Sequence, residues 1–200
     1  MPRIEPVPAS TRDPLVRYSF REARKRVGMV PEPYAVSAHH KPTFIGQSLF
    51  ELTLEKAKRV DNHLKELATL KAASVVGCEF CLDIGSFIAS ESGIPERQLR
   101  DLPVHPESDA FTALEKLVLD YAVAMSQTPQ QVDDALFGRL REHFDERQLV
   151  ELTSIIAWEN FRARFNAAIG APAQGFTKDG PCALPAARPA QPDADGVVAA

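Results

Sequence analysis

Apolar side chains recur at helical spacing along most of this chain, and proline, glycine and capping residues punctuate them. Asp13-Pro14 reads as a cap followed by a first-turn proline, opening an amphipathic helix that stops near Gly28. Pro31-Glu32-Pro33 reads as a proline-rich turn. Pro42 opens another helix, on which Ile45, Leu49, Leu52 and Ala57 mark an apolar stripe, and Asp61 or Asn62 caps a segment from Leu64 to Val76 that ends at Gly77. The following segment begins with Cys78 and runs through Ile84, Phe87 and Ile88 to Gly93. Pro95 starts a short helix, and two longer ones, Asp109 to Ser126 and Val132 to Phe144, flank a break at Thr128-Pro129. Asp145 caps the last, with Leu149, Leu152, Ile156 and Ala163 at helical spacing. No alternating pattern long enough for a strand appears, and no short-period repeat, so the expectation is an all-α fold of about eight helices.

Composition changes this picture at one end. From residue 171 to 200 the chain is rich in proline and alanine, with Phe176 its lone aromatic, which predicts an extended tail behind a single helical domain over 1–170. Gly175-Phe176 offers an anchor, so the first part of the tail can dock. At 200 residues and 44% hydrophobic the chain is long enough for one proper core. The net charge of −4 is spread over interleaved acidic and basic residues and makes no basic stripe, which argues against nucleic acid as a partner. The start lacks the apolar run of a secretory signal, and no uncharged stretch is long enough to span a bilayer, so no membrane is expected and the simplest location is cytoplasmic.

The chemistry concentrates at Cys78-Glu79-Phe80-Cys81. With Cys182 the one other cysteine, the chain holds a single dithiol, not a disulfide framework. If a helix starts after Gly77, Cys78 sits at its positive end and Cys81 one turn in, near enough for a disulfide and placed to have its thiolate stabilised. The plainer alternative is two small buried apolar residues. Zinc would need a further pair of ligands, which a second Cys-x-x-Cys or a spaced histidine pair would supply, and the sequence has neither; the His39-His40 doublet is the remaining source. Glu66 shares a helix face with Leu70, Ala73 and Gly77, aimed toward the cysteines; buried there it would hold its proton more tightly and could shuttle it, and otherwise it is a solvated glutamate next to Lys65. Glu159 falls in the apolar row of the last helix, where burial requires a partner such as Arg162 or Arg164. Trp158 reads as packing or interface.

The run Leu64-Lys65-Glu66-Leu67-Ala68, the eleven residues between Glu66 and Cys78, and the Cys-x-x-Cys itself resemble the core motif of the carboxymuconolactone decarboxylase and alkylhydroperoxidase D superfamily. The segments from Leu114 to Ala122 and from Leu149 to Asn166 are similar to its later helices. The resemblance implies an alkylhydroperoxidase D-like helical bundle that forms homo-oligomers, trimers or hexamers, and needs no cofactor. It also implies a thiol-dependent hydroperoxide reductase: Cys78 and Cys81 as the redox pair, Glu66 as the proton-relay carboxylate, a hydroperoxide as substrate, and a dithiol reductant such as a lipoylated protein. Helix-end electrostatics favour Cys78 as the attacking thiol, while the family analogy allows Cys81. The chain departs from the family's pattern at Gly85, where the motif has a histidine, so the usual relay cannot operate unchanged. His39, His40 and His63 are the histidines available to enter the site from other segments, and Asp83, two residues past Cys81, is expected to point away from it. A decarboxylase or lactone-processing enzyme of the same superfamily, or a non-catalytic redox-sensing oligomer, are the alternatives.

Overall fold

The computed structural model describes residues 3–177 together with 182 and 183. Among the described residues the chain is all helical: α1 (Pro14–Val27), α2 (Glu32–Ser37), α3 (Lys41–Glu55), α4 (Asn62–Val76), α5 (Glu79–Glu91), α6 (Glu96–Asp101) with a 3₁₀ turn at Leu102–Val104, α7 (Ala113–Ser126), α8 (Asp134–Arg141) and α9 (Glu146–Ile169).

Helix α4 is the axle of the bundle. Leu67, Ala68, Leu70, Ala72 and Ala73 are all fully buried, because α5, α7 and α9 pack around it and its three alanines let their backbones come close. One side of α4 joins the apolar cluster of α5, which includes Leu82, Ala89 and both Cys78 and Cys81. Its other side joins Val118, Tyr121, Ala122, Leu152 and Ile156 of α7 and α9. Two lysines are drawn into this interior. Lys65 Nζ donates to Glu151 Oε1 (3.1 Å) and the Ala57 carbonyl (2.7 Å), and Lys71 Nζ donates to the Leu102 carbonyl (2.8 Å). Burial pushes the Lys71 ammonium down to about 8, against the pull of Asp120 and Glu107.

Caps decide where the helices begin. Asp13 accepts from the amides of Leu15 and Val16 at the start of α1, as its place before Pro14 predicts. Helix α7 starts at Ala113 instead of Asp109, because Thr112 and Glu115 form a reciprocal capping box that fixes the first turn. Pro31-Glu32-Pro33 is the entry to α2, not only a turn: Pro33 occupies a first-turn position, where a missing N–H costs nothing. The stripe on α3 faces outward. Ile45, Leu49 and Leu52 are 46%, 61% and 41% exposed, whereas Phe44 is buried against Phe20 and Tyr34, so α3 docks on α1 and α2 through a different face.

The beginning of the tail docks. Asp83 on α5 is buried and accepts five hydrogen bonds from residues 174–177: Gln174 N (2.8 Å), Gly175 N (2.7 Å), Phe176 N (3.1 Å), Thr177 N (3.0 Å) and Thr177 Oγ1 (2.8 Å). Phe176 packs edge-on against Phe80 and near Phe87, and further along the Ala183 amide donates to Ser86 Oγ (2.9 Å). The last dozen residues, for which the sequence offers no anchor, lie outside the described residues.

Candidate redox site

The chain reverses direction at Gly77, whose φ of 77° is left-handed and ends α4 with a hydrogen bond back to the Ala73 carbonyl. Cys78 is then the N-cap of α5: its Sγ accepts from the amide of Cys81 at 3.2 Å, the place a serine or aspartate oxygen takes in an ordinary cap. The two cysteines have Cα atoms 5.2 Å apart and are joined in a disulfide. Both are buried, at 3% and 6% exposure.

A side chain from α9 completes the surroundings of the sulfurs. Asn166, buried one turn before the end of α9, directs its Nδ2 at Cys81 Sγ (3.3 Å) and, more distantly, at Cys78 Sγ (3.9 Å). Sequence reasoning passed over this residue as a participant. The signal was present, since Asn166 continues the buried row Leu152, Ile156, Glu159 and Ala163 at helical spacing, and a polar residue at a core position implies a buried partner.

Glu66 is half-buried on α4, one turn before Leu70. Burial pushes its carboxyl above the usual range, Arg162 and Lys65 pull it down, and Glu51 adds a small push upward. Around it lies an ionic cluster between α3, α4 and α9. Arg162 donates Nε (2.9 Å) and Nη2 (2.5 Å) to Glu159 Oε2, and Nη1 (2.7 Å) to Glu51 Oε1; the Trp158 indole N–H donates to the other Glu51 oxygen. Glu159 therefore has the partner its burial requires, and it is Arg162; Arg164 turns instead to Asn160, Ser126 and Thr128. Burial still holds Glu159 above its ordinary value, helped by the nearby Glu51 and Glu66, against the pull of Arg162. Arg162 stays charged: burial opposes its charge, but Glu159 and Glu51 outweigh it. Trp158 also stacks on Phe161 and meets Phe50 edge-on.

The histidines are engaged elsewhere. His39 bonds the Glu5 carbonyl (2.8 Å), His40 bonds Thr43 (2.7 Å), and His63 lies 2.8 Å from Glu115. At the family's histidine position, a Cβ built on Gly85 would come within 2.9 Å of Leu70 Cδ2, the end of a buried side chain, so a larger residue there requires Leu70 to shift. Asp83 is engaged by residues 174–177 and holds the tail. Cys182 is a free thiol packed against the apolar cluster that includes the dithiol.

The arrangement is a buried dithiol at a helix start, with one backbone and one side-chain donor on its sulfurs and a protonatable carboxyl on the preceding helix. Such a pair can be oxidised and reduced by two electrons within one helical turn.

Comparison with known proteins agrees with this architecture. The structure superposes on the debrominase Bmp8 with a TM-score of 0.79 at 22% identity, covering 88% of this chain and 94% of that one. It superposes on an uncharacterized peroxidase-related protein with an alkylhydroperoxidase AhpD core from Ralstonia eutropha JMP134 with a TM-score of 0.75 at 20% identity, covering 88% and 94%. At these identities the likeness is one of fold. In sequence, the chain is 39% identical over 132 residues to the uncharacterized protein YnjA of Escherichia coli (strain K12), covering 66% of this chain and 72% of that relative. The profile of the carboxymuconolactone decarboxylase family matches residues 47–124, a span that contains Glu66, Cys78 and Cys81. With motif, fold and relatives in agreement, this chain belongs to the carboxymuconolactone decarboxylase family.

Proposed function

We propose that this protein is a thiol-dependent hydroperoxide reductase that cycles Cys78 and Cys81 between dithiol and disulfide. The observation that carries the reading is the pair itself, placed where a helix start and a buried amide both favour negative sulfur. One thiolate attacks the distal oxygen of a hydroperoxide; the O–O bond breaks, the sulfur becomes a sulfenic acid, and the departing alkoxide takes a proton to leave as an alcohol. The second thiol then displaces water from the sulfenic acid and closes the disulfide. A dithiol donor, such as a lipoylated protein, returns two electrons and two protons by exchange. Glu66, whose burial keeps its proton accessible nearer to neutrality, is the group proposed to pass protons to and from this site.

The rival lactone or decarboxylase chemistry requires a cation free to bind a carboxylate substrate. Arg162, the cation nearest Glu66 on α9, is already committed to Glu159 and Glu51, which weakens that reading. The cycle suits a reducing compartment, so we place the protein in the cytoplasm; no helix among the described residues is long and apolar enough to cross a membrane. The outward stripe of Ile45, Leu49 and Leu52 on α3 supports assembly into a homo-oligomer. A steady-state assay of hydroperoxide consumption, coupled to a dithiol donor, tests the reading. Turnover that survives in Cys78→Ser or Cys81→Ser would contradict it, and stoichiometric oxidation without turnover would favour a redox sensor.

A further inference from the structure

The two sulfurs differ in their donors. Cys78 Sγ takes the backbone N–H of Cys81 at 3.2 Å, a contact fixed by the cap of α5. Cys81 Sγ takes the side-chain amide of Asn166 at 3.3 Å, and that amide is 3.9 Å from Cys78. We infer that Asn166 is the residue that stabilises Cys81 as a thiolate in the reduced protein.

The argument rests on what an amide can do for sulfur. A thiol or a disulfide sulfur is a weak acceptor, whereas a thiolate is a strong one, so an N–H aimed at the sulfur stabilises the ionised form far more than the neutral form. Asn166 is held in that aim by burial on the rigid last turns of α9. The charged groups around the pair do not replace it. On α4, Lys65 is bound to Glu151 and Lys71 to a carbonyl, and Glu66 would oppose a thiolate when ionised. On α5, Glu79 is exposed and Asp83 is occupied by residues 174–177. On α9, Arg162 is shared between Glu159 and Glu51. An amide also cannot release a proton, so Asn166 supplies the electrostatic half of what a histidine would do beside a thiol and leaves proton transfer to another group.

This inference rests on the hydroperoxide-reductase reading for its purpose, but its test does not. The full-length protein is reduced, and the ionisation of Cys81 is followed by thiolate absorbance and by the pH dependence of alkylation, with the double substitution Cys78→Ser, Cys182→Ser as the background that leaves Cys81 the one thiol. A hydrogen bond to a charged acceptor of ordinary strength corresponds to about one pKa unit or more, so Asn166→Ala is expected to raise the Cys81 value by about that much. Asn166→Asp, nearly the same shape, should raise it at least as far once its carboxylate ionises, and provides the answer if the alanine variant does not fold. Asn166→Gln, if the longer amide reaches the sulfur, should recover part of the shift. Cys81 titrating at an unchanged pH in both Asn166→Ala and Asn166→Asp overturns the inference. A shifted titration in a protein that consumes no hydroperoxide upholds the role of Asn166 and removes the peroxidase reading instead.

Discussion

Replacing Asp83 by alanine removes the carboxylate on which four backbone amides and the Thr177 hydroxyl converge. Each hydrogen bond to an ionised acceptor contributes about 1.5–3 kcal/mol in isolation, yet the five cannot be added, because a released segment regains its bonds to water. The loss is bounded by what holds 174–177 in place. Burial of the Phe176 ring contributes about 2–3 kcal/mol, which the cost of ordering four residues at about 1–2 kcal/mol each more than offsets, so the segment stays docked only through its hydrogen bonds to Asp83, and losing them costs a few kcal/mol at most, about 3. For a chain of this size that corresponds to a fall in Tm of about 10 °C. Asp83→Asn keeps one acceptor oxygen and should lose roughly half as much. The pH dependence has a definite sign. Burial raises the Asp83 carboxyl, but the bonds from Thr177, Phe176 and Gln174 outweigh it and hold the group below its ordinary value. Its stabilising contribution is therefore complete above the ordinary carboxyl range near pH 4 and is lost as pH falls through the folded value. Thermal melts across pH, with hydrogen exchange at the amides of 174–177, measure both effects. Because Phe176 packs in the same apolar cluster as the dithiol, the reduced Asp83→Ala protein should also react faster with a bulky thiol reagent. A Tm within a degree or two of wild type, with amides at 174–177 already exchanging freely, would refute the reasoning.

Three further outcomes are expected. Glu66→Gln should slow hydroperoxide reduction and, because burial makes the ionised form costly, should remove a loss of stability that wild type shows as pH rises through the raised Glu66 value; rate and melting profiles against pH check both. Gly85→His should destabilise, by about 1–3 kcal/mol, because its Cβ meets Leu70, and a gain in rate near pH 7 is expected only when Leu70→Ala makes room; urea denaturation and stopped-flow reduction separate the two effects. Lys71, held at about 8 by burial, should make the protein more stable as pH rises from there toward the ordinary lysine value, and Lys71→Met should lose that rise.

The helices and the dithiol were legible in the sequence because their signals are local. Asp13-Pro14, Asp145 and Gly77 state helix ends within a few residues, and the spacing from Glu66 to Cys78 states the motif. What escaped depends on contacts across the chain. The apolar stripe of α3 has the right period but does not say which face meets α1 and α2, and here Phe44 takes the core. Asn166 is separated from Cys78 by nearly half the chain, and nothing local marks an amide that will touch sulfur. The partner of Asp83 lies in a proline-rich segment whose composition argues against order; one buried carboxylate supplies the acceptors that composition cannot show. The unequal donors on the two sulfurs likewise arise from the meeting of α5 and α9, not from either alone.

The central claim is that Cys78 and Cys81 form a working redox pair, and counting free thiols tests it most directly. The reduced protein is treated with hydroperoxide, and thiols are titrated in wild type, Cys78→Ser and Cys81→Ser, with mass spectrometry locating any bridge. Wild type should lose two thiols per chain as a Cys78–Cys81 disulfide that a dithiol fully reverses, and neither serine variant should form that bridge or turn over. Persistence of both thiols under excess hydroperoxide, while Cys182 alone is oxidised, would contradict the account.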